Sequence, residues 1–262
     1  MLGVSVIVRN ESGRLVTDLT RDHFRLLVDG RPVPIDVFSN DPAPLAIALM
    51  VNSNNWEAVG RFRSVAQAVV DALVPPDRAA IGTFSNEIAI SPLTTSDIGI
   101  LHRVLLEEIW PGWSNPLSTA VHKAIIGLTQ ERAKKAVIVI GSDSAEQCLH
   151  DFPCIGVDNA IRKARDEDVS VYGVTVDLKE SAPTNRPVRR LAYETGGGYV
   201  RLPGSLGDLS SNMSKVLEEL RREYVLGFGP PVRDNKAHRI SVRITLPDHV
   251  AHTRRAYRLE GY

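Results

Sequence analysis

No apolar run in the chain approaches the roughly 20 residues that a membrane-spanning helix needs, so no membrane span is expected. The opening, MLGVSVIVRN, is too short and wrongly flanked for an export signal. An excess of one charge is missing too. With 31 basic and 31 acidic side chains the protein has no net field, and neither nucleic acid nor a membrane surface is suggested as a partner. Cysteine is scarce: Cys148 and Cys154 lie six apart in one loop, and they would form a small disulfide in an exported protein or remain two thiols in a cytosolic one. No nucleophile has a partnered base, and no loop has the form of a cofactor cradle, so an enzyme has the least support. Gly196 to Gly198 could suggest a phosphate loop, but they follow a helical segment instead of preceding one, and read as a helix stop.

What the chain does contain is enough for a large core. Its 262 residues are 43% hydrophobic and 24% charged, ordinary values for a soluble globular protein with one large domain or one domain and a small companion. The organising stretch is AKKAVIVIGSD, Ala133 to Asp143. Five apolar residues, Ala136 to Ile140, run into Gly141, Ser142 and Asp143, as a strand buried on both faces does where it leaves a sheet. Helix-period segments flank it, Leu117 to Gln130 and Val157 to Asp168. Apolar strands also stand at Leu45 to Val51, Ala79 to Phe84 and Val169 to Val176, with helices predicted over Trp56 to Leu73, Ser96 to Ile109 (capped by Thr95 or Ser96), Arg186 to Glu194 and Leu206 to Glu223. Alternation of this kind predicts a doubly wound, mostly parallel α/β sheet with helices on both faces. Ligands of such sheets meet the loops at the carboxyl ends of the strands, where Asp143 is the first acidic group past the central strand.

Both ends of the chain read differently. Residues 1 to 42 lack helices and carry an Asp29-Gly30 hairpin signal joining FRLLV to PVPIDVF. Residues 224 to 262 alternate with period 2 in HRISVRITL and AHTRRAYRL. Neither end is long enough for a stable sheet alone, so the two are expected to pair into one small β-sandwich beside an α/β domain of residues 43 to 223.

Five stretches in order, VRNESGRLVTDLTRDHFRLLVDGRPVPIDVF, DRAAIGTFSNEIAISPLTTSD, AKKAVIVIGSD, RRLAYETGGGYVRL and ELRREYVLGF followed by HRISVRI, resemble the von Willebrand factor A-type domain. They cover nearly the whole chain. More closely they resemble the bacterial group known mainly from acidobacterial genomes, usually exported, with β segments on both sides of the A domain. The resemblance implies a Rossmann-like fold, an extracytoplasmic place and a metal-dependent adhesion site built from a DxSxS loop, a threonine and an aspartate. Thr119 and Asp143 match the last two. The loop departs from the pattern. Aligning Ser53 with the first serine puts Val51 at the aspartate and Asn55 at the second serine, whereas a shift by one puts Asn52 at the aspartate and Asn54 and Trp56 at the serines. Neither register supplies the carboxylate that magnesium favours.

The expectation is therefore a non-enzymatic module that binds a protein partner without a cofactor through residues 52 to 56, 110 to 119 and 142 to 156. Asn52, Ser53, Asn55, Trp56, Trp110 and Trp113 are the candidate contacts. The alternative keeps a weak Mg or Mn on Ser53, Thr119 and Asp143; a purely structural role in an exported assembly is a further one. The three tryptophans either form a recognition patch or pack beneath the loops as local cores. Cys148, His150, Asp151 and Cys154 do not have the spacing of a catalytic trio or a zinc site, and in the exported protein the two cysteines are expected to be joined.

Overall fold

The computed structural model describes residues 1–142, 144–148, 154–177, 186–232 and 234–258. Its centre is a six-stranded sheet in the order β10-β9-β8-β5-β6-β7. These strands are β5 (Leu45–Asn52), β6 (Arg78–Phe84), β7 (Ile88–Ile90), β8 (Lys134–Gly141), β9 (Val169–Val176) and β10 (Tyr199–Leu202). All pair in parallel except β7, which turns back antiparallel along β6. Every residue of β5 and β9 is buried, because helices cover both faces of the sheet. One face packs against α1 (Val59–Asp71), α2 (Ile98–Glu107) and α6 (Leu209–Arg221), where Phe62, Val69, Leu105 and Leu217 meet Leu49 and Ile138. The other packs against α3 (Leu117–Gly127), α4 (Val157–Asp166) and α5 (Pro187–Thr195), where Val121, Ile125, Ile161 and Leu191 meet Ala48 and Val139. The doubly wound arrangement is the one that the alternating apolar strands and helices predict.

The chain ends build two antiparallel sheets. One has the order β13-β1-β11-β4, from β1 (Leu2–Asn10), β4 (Val37–Ser39), β11 (Tyr224–Phe228) and β13 (His249–Thr253). The second has the order β14-β12-β2-β3, from β2 (Phe24–Val28), β3 (Arg31–Val33), β12 (His238–Ile244) and β14 (Ala256–Tyr257). Their facing side chains form one core containing Val6, Phe24, Leu26, Tyr224, Phe228 and Ile240. Strands from the head and the tail alternate in the first sheet, and in the second the tail pair β14-β12 joins the head pair β2-β3 through β12 and β2, so both sheets draw on both ends of the chain.

The structure corrects two local expectations. PVPIDVF is not one strand: β3 stops at Val33, before Pro34, and β4 joins the opposite sheet, because proline supplies no N–H to continue the ladder. The cap of α2 is Asp97, whose side chain accepts the Ile100 N–H at 3.1 Å, and the helix begins two residues after Ser96. The turn at Asp29-Gly30 does form, with φ of 50° and 79° as a two-residue hairpin requires. The glycine run at 196 to 198 ends α5, with Gly196 at φ 83°; a Cβ on Gly197 would lie 2.0 Å from the Val171 carbonyl oxygen.

A buried polar seam ties the sandwich to the α/β domain. Lys134 Nζ lies 2.6 Å from Glu223 Oε2, and Tyr172 donates to Glu223 Oε1 at 3.2 Å. Arg9 of β1 pairs with Glu219. Arg254, nearly buried, donates to Asp168 Oδ1 at 2.9 Å and to the Gly3 carbonyl. Burial raises the carboxyls of both Glu219 and Glu223 above the ordinary range, although the Arg9 and Lys134 charges pull them back. The two ends of the α/β domain meet at one point, where the Ala43 N–H donates to the Arg221 carbonyl at 3.1 Å.

Candidate functional site

Strand order reverses between β5 and β8, the position at which doubly wound sheets hold ligands. Asn52 ends β5 there and Gly141 ends β8. A Cβ on Gly141 would stand 2.8 Å from the Cβ of Asn52, so the glycine lets the two strand ends close together.

Asn52 is buried, and its amide is fixed by its neighbours. Its Oδ1 accepts the Asn54 N–H at 2.8 Å, which leaves Nδ2 to donate to Asn115 Oδ1 at 3.0 Å. Asn115, also buried, donates from Nδ2 to Ser144 Oγ at 3.2 Å and to the Ala145 carbonyl at 3.0 Å. Its backbone pairs with Gln147 in both directions. Each amide thus has its oxygen toward a donor and its nitrogen toward an acceptor, and the chain of bonds runs one way from the 52 to 54 loop to the loop after β8. Glu146 completes the arrangement by accepting the Ser118 N–H and hydroxyl, both at 2.7 Å, at the start of α3. A carboxylate at a helix N-terminus is well placed there.

Val51 is wholly buried in the core beneath α1, so the residue at the strand end is Asn52. Ser53 is buried as well; its hydroxyl has no partner, while its carbonyl accepts the Gly112 N–H at 2.8 Å. Asn52 and Ser53 therefore support the edge from beneath and are not on its surface. Asn55 closes the start of α1, its Oδ1 accepting the Glu57 and Ala58 N–H groups at 3.0 Å each. Thr119 Oγ1 accepts the Ile155 N–H at 3.1 Å. Asp143, His150 and Asp151 lie outside the described residues.

For a hard divalent cation this donor set is poor. Among the described residues, Asn52 has its oxygen engaged and turns an NH₂ toward Asn115, Thr119 has one lone pair in use, and the one nearby carboxylate, Glu146, is held by Ser118. A neutral amide also offsets divalent charge less than a carboxylate does. Among the described residues of this loop, the Ser53 hydroxyl and the Asn54 Oδ1 are buried without a partner. Cys148 and Cys154 are joined, with Cα atoms 5.6 Å apart, so the Glu146, Cys148 and Cys154 group offers no thiolate. The bridge closes the loop beside Glu146. In the chain-entropy picture such a short loop gains roughly 2–3 kcal/mol. Thiol titration of denatured, non-reduced protein recovered from an oxidising compartment should find no free thiol; two would reject the bridge.

The tryptophans stand above this network. Trp56, Trp110 and Trp113 are 70%, 74% and 79% exposed, which decides against local cores. Their loops are fastened together from below: Gly112 donates to Ser53, and Asn86 Oδ1 accepts the Trp113 and Ser114 N–H groups at 2.9 and 3.1 Å. Ser114 donates to the Ser85 carbonyl at 2.6 Å. A Cβ on Gly112 would be 2.5 Å from Ser85 Oγ, so only glycine allows this approach. Sequence reasoning missed Asn115, Ser144 and Glu146. The one available signal was an asparagine next to a proline in front of a helix, which also reads as an ordinary turn.

No known family profile matches the sequence, and no curated protein matches it. Solved structures do. An aerotolerance-related membrane protein from Bacteroides fragilis, carrying multiple mutations to serine, is similar over 67% of this chain and 98% of that one, with 15% identity and a TM-score of 0.52. The conserved hypothetical protein BatB from Bacteroides thetaiotaomicron is similar over 67% and 98%, with 16% identity and a TM-score of 0.50. The vWF domain of the type V pili tip protein Mfa5 from Porphyromonas gingivalis is similar over 68% and 95%, with 9% identity and a TM-score of 0.52. At these identities the likeness concerns the fold, and together with the six-stranded sheet and the helices on both its faces it leads to one conclusion: residues 43 to 223 have the fold of a von Willebrand factor A-type domain.

Proposed function

We propose that the domain is a non-enzymatic protein-binding module whose contact surface is the edge carrying Trp56, Trp110 and Trp113, and that it works without a divalent cation. The observation that carries this reading is the exposure of all three indoles on loops fastened together from beneath. Exposed tryptophan presents a large, rigid area with one donor at low entropic cost, which suits a binding surface. Because the indoles are solvated, replacing any one by serine should change stability by no more than about 0.5 kcal/mol. A loss of several kcal/mol in urea denaturation would make them core residues and sink the proposal. An extracytoplasmic place is part of the proposal, supported by the disulfide and by the membrane-protein and pilus-tip descriptions of two structural neighbours.

A second reading draws on the Ser53 hydroxyl, buried without a partner: a weak Mg or Mn held by Ser53, Thr119 and Asp143. The two readings differ in a titration. Ligation would stabilise the fold by about 2.7 kcal/mol with the ion a hundredfold over its dissociation constant. The metal-independent reading expects no shift with millimolar Mg or Mn. Tight calorimetric binding abolished by Asp143→Ala would favour the second. Asn52→Asp is informative in the same assay. It replaces the Nδ2 donor by an oxygen facing Asn115 Oδ1, and should cost about 1–3 kcal/mol in chelator; recovery on adding Mg would mark a regained site.

A further inference from the structure

The tryptophan edge carries a charge that the chain as a whole does not. Glu57 follows Trp56, Glu87 follows the Asn86 that holds Trp113, and Glu107 and Glu108 end α2 just before Trp110. All four are exposed, and among the described residues none has an ion-pair or hydrogen-bond partner for its side chain. Helix α2 points its carboxyl end at this edge, which adds the negative pole of its dipole. The loops of residues 53–58, 85–87 and 107–118 contain no lysine, arginine or histidine. The cations on the adjoining helices are Arg63 of α1, whose guanidinium reaches the Ile109 carbonyl at 3.5 Å, Arg61 of α1, which lies toward Gly204, and Arg103 of α2, four residues before Glu107. An otherwise neutral protein therefore places four exposed carboxylates in or beside the loops that carry or hold its three indoles.

Those two features select the same ligand chemistry. An indole face attracts a cation, guanidinium more often than ammonium, and a free carboxylate accepts a guanidinium through two hydrogen bonds. An acidic partner would meet repulsion, and a neutral one would leave the carboxylates unused. We propose that the partner is a polypeptide presenting a basic, arginine-bearing segment, whose guanidinium groups stack on Trp56, Trp110 and Trp113 and pair with the surrounding glutamates. This rests on the reading of the edge as a protein-binding surface and adds the character of the partner.

The chain supplies its own reporter, since every tryptophan lies in the proposed surface and indole emission reads this edge alone. The test titrates the full chain with three capped peptides, alternating glycine with arginine, asparagine or glutamate. The arginine peptide should change the emission saturably and the glutamate peptide should not. Binding should weaken as salt rises from about 0.1 M to 1 M, where the screening length falls from ~10 to ~3 Å. Glu107→Gln with Glu108→Gln, and separately Trp113→Ser, should each weaken it roughly tenfold. No saturable response to the arginine peptide overturns the proposal. Equal binding of the asparagine peptide, lost in Trp113→Ser, also overturns it while leaving the protein-binding edge intact.

Discussion

Lys134→Met is expected to destabilise the protein by about 3–5 kcal/mol at neutral pH, because it leaves the fully buried Glu223 without its counter-charge. The effect should depend steeply on pH, with a definite sign. Burial already holds the Glu223 carboxyl above its unfolded value against the pull of Lys134, and the substitution removes that pull, raising it further. A carboxyl raised by folding contributes stability below its unfolded value and loses it as pH rises through the folded one. The variant should thus approach the parent near pH 4 and fall away from it toward neutrality. Urea denaturation across this range checks it, and Glu223→Gln in the Lys134→Met background should flatten the profile. An equal deficit at every pH would mean that lost packing, not an unpaired charge, is responsible.

Tyr224→Ala should be as damaging. The ring is wholly buried in the sandwich, 4.9 Å from Phe24 and 5.8 Å from Phe38 between centroids, and truncations of this size cost about 3–5 kcal/mol. Its hydroxyl accepts the Leu19 N–H and donates to the Val16 carbonyl, both at 3.0 Å. Tyr224→Phe separates the two contributions: it keeps the ring and leaves the buried Leu19 amide without an acceptor, for about 1–3 kcal/mol. Hydrogen exchange should locate the loss in β1, β2, β11 and β12. Exchange that rises equally in β5 and β8 would show instead that sandwich and α/β domain unfold as one unit.

What the sequence disclosed and what it withheld have different physical origins. Ala136 to Ile140 was legible because a strand covered on both faces must be apolar throughout, and Asp29-Gly30 because few residue pairs accept two positive φ angles in succession. The union of head and tail followed from the same kind of necessity, since unpaired sheet edges need partners. Asn115 was not legible. Its meaning depends on Asn52, 63 residues away, and on carbonyls of a third segment, and no periodicity links them. The tryptophans were ambiguous for a related reason: whether an indole packs or projects depends on the loop beneath it, here set by the contact of Gly112 with Ser53 and Ser85.

The hydrogen bond between Ala43 and Arg221 bears on how the molecule assembles. Leu19 and Tyr224 are 205 residues apart along the chain, so a ribosome adding roughly 5–20 residues per second delivers the partners of β1 some tens of seconds after β1 itself. Bringing such distant segments together carries a closure entropy that grows with the length of flexible chain between them. Once the inserted domain has folded, however, its first and last residues touch, and the intervening segment ceases to count as flexible chain. The head then waits beside the place where the tail will emerge, as though the two were joined by a short turn. Folding of the middle is in this sense what makes the ends neighbours.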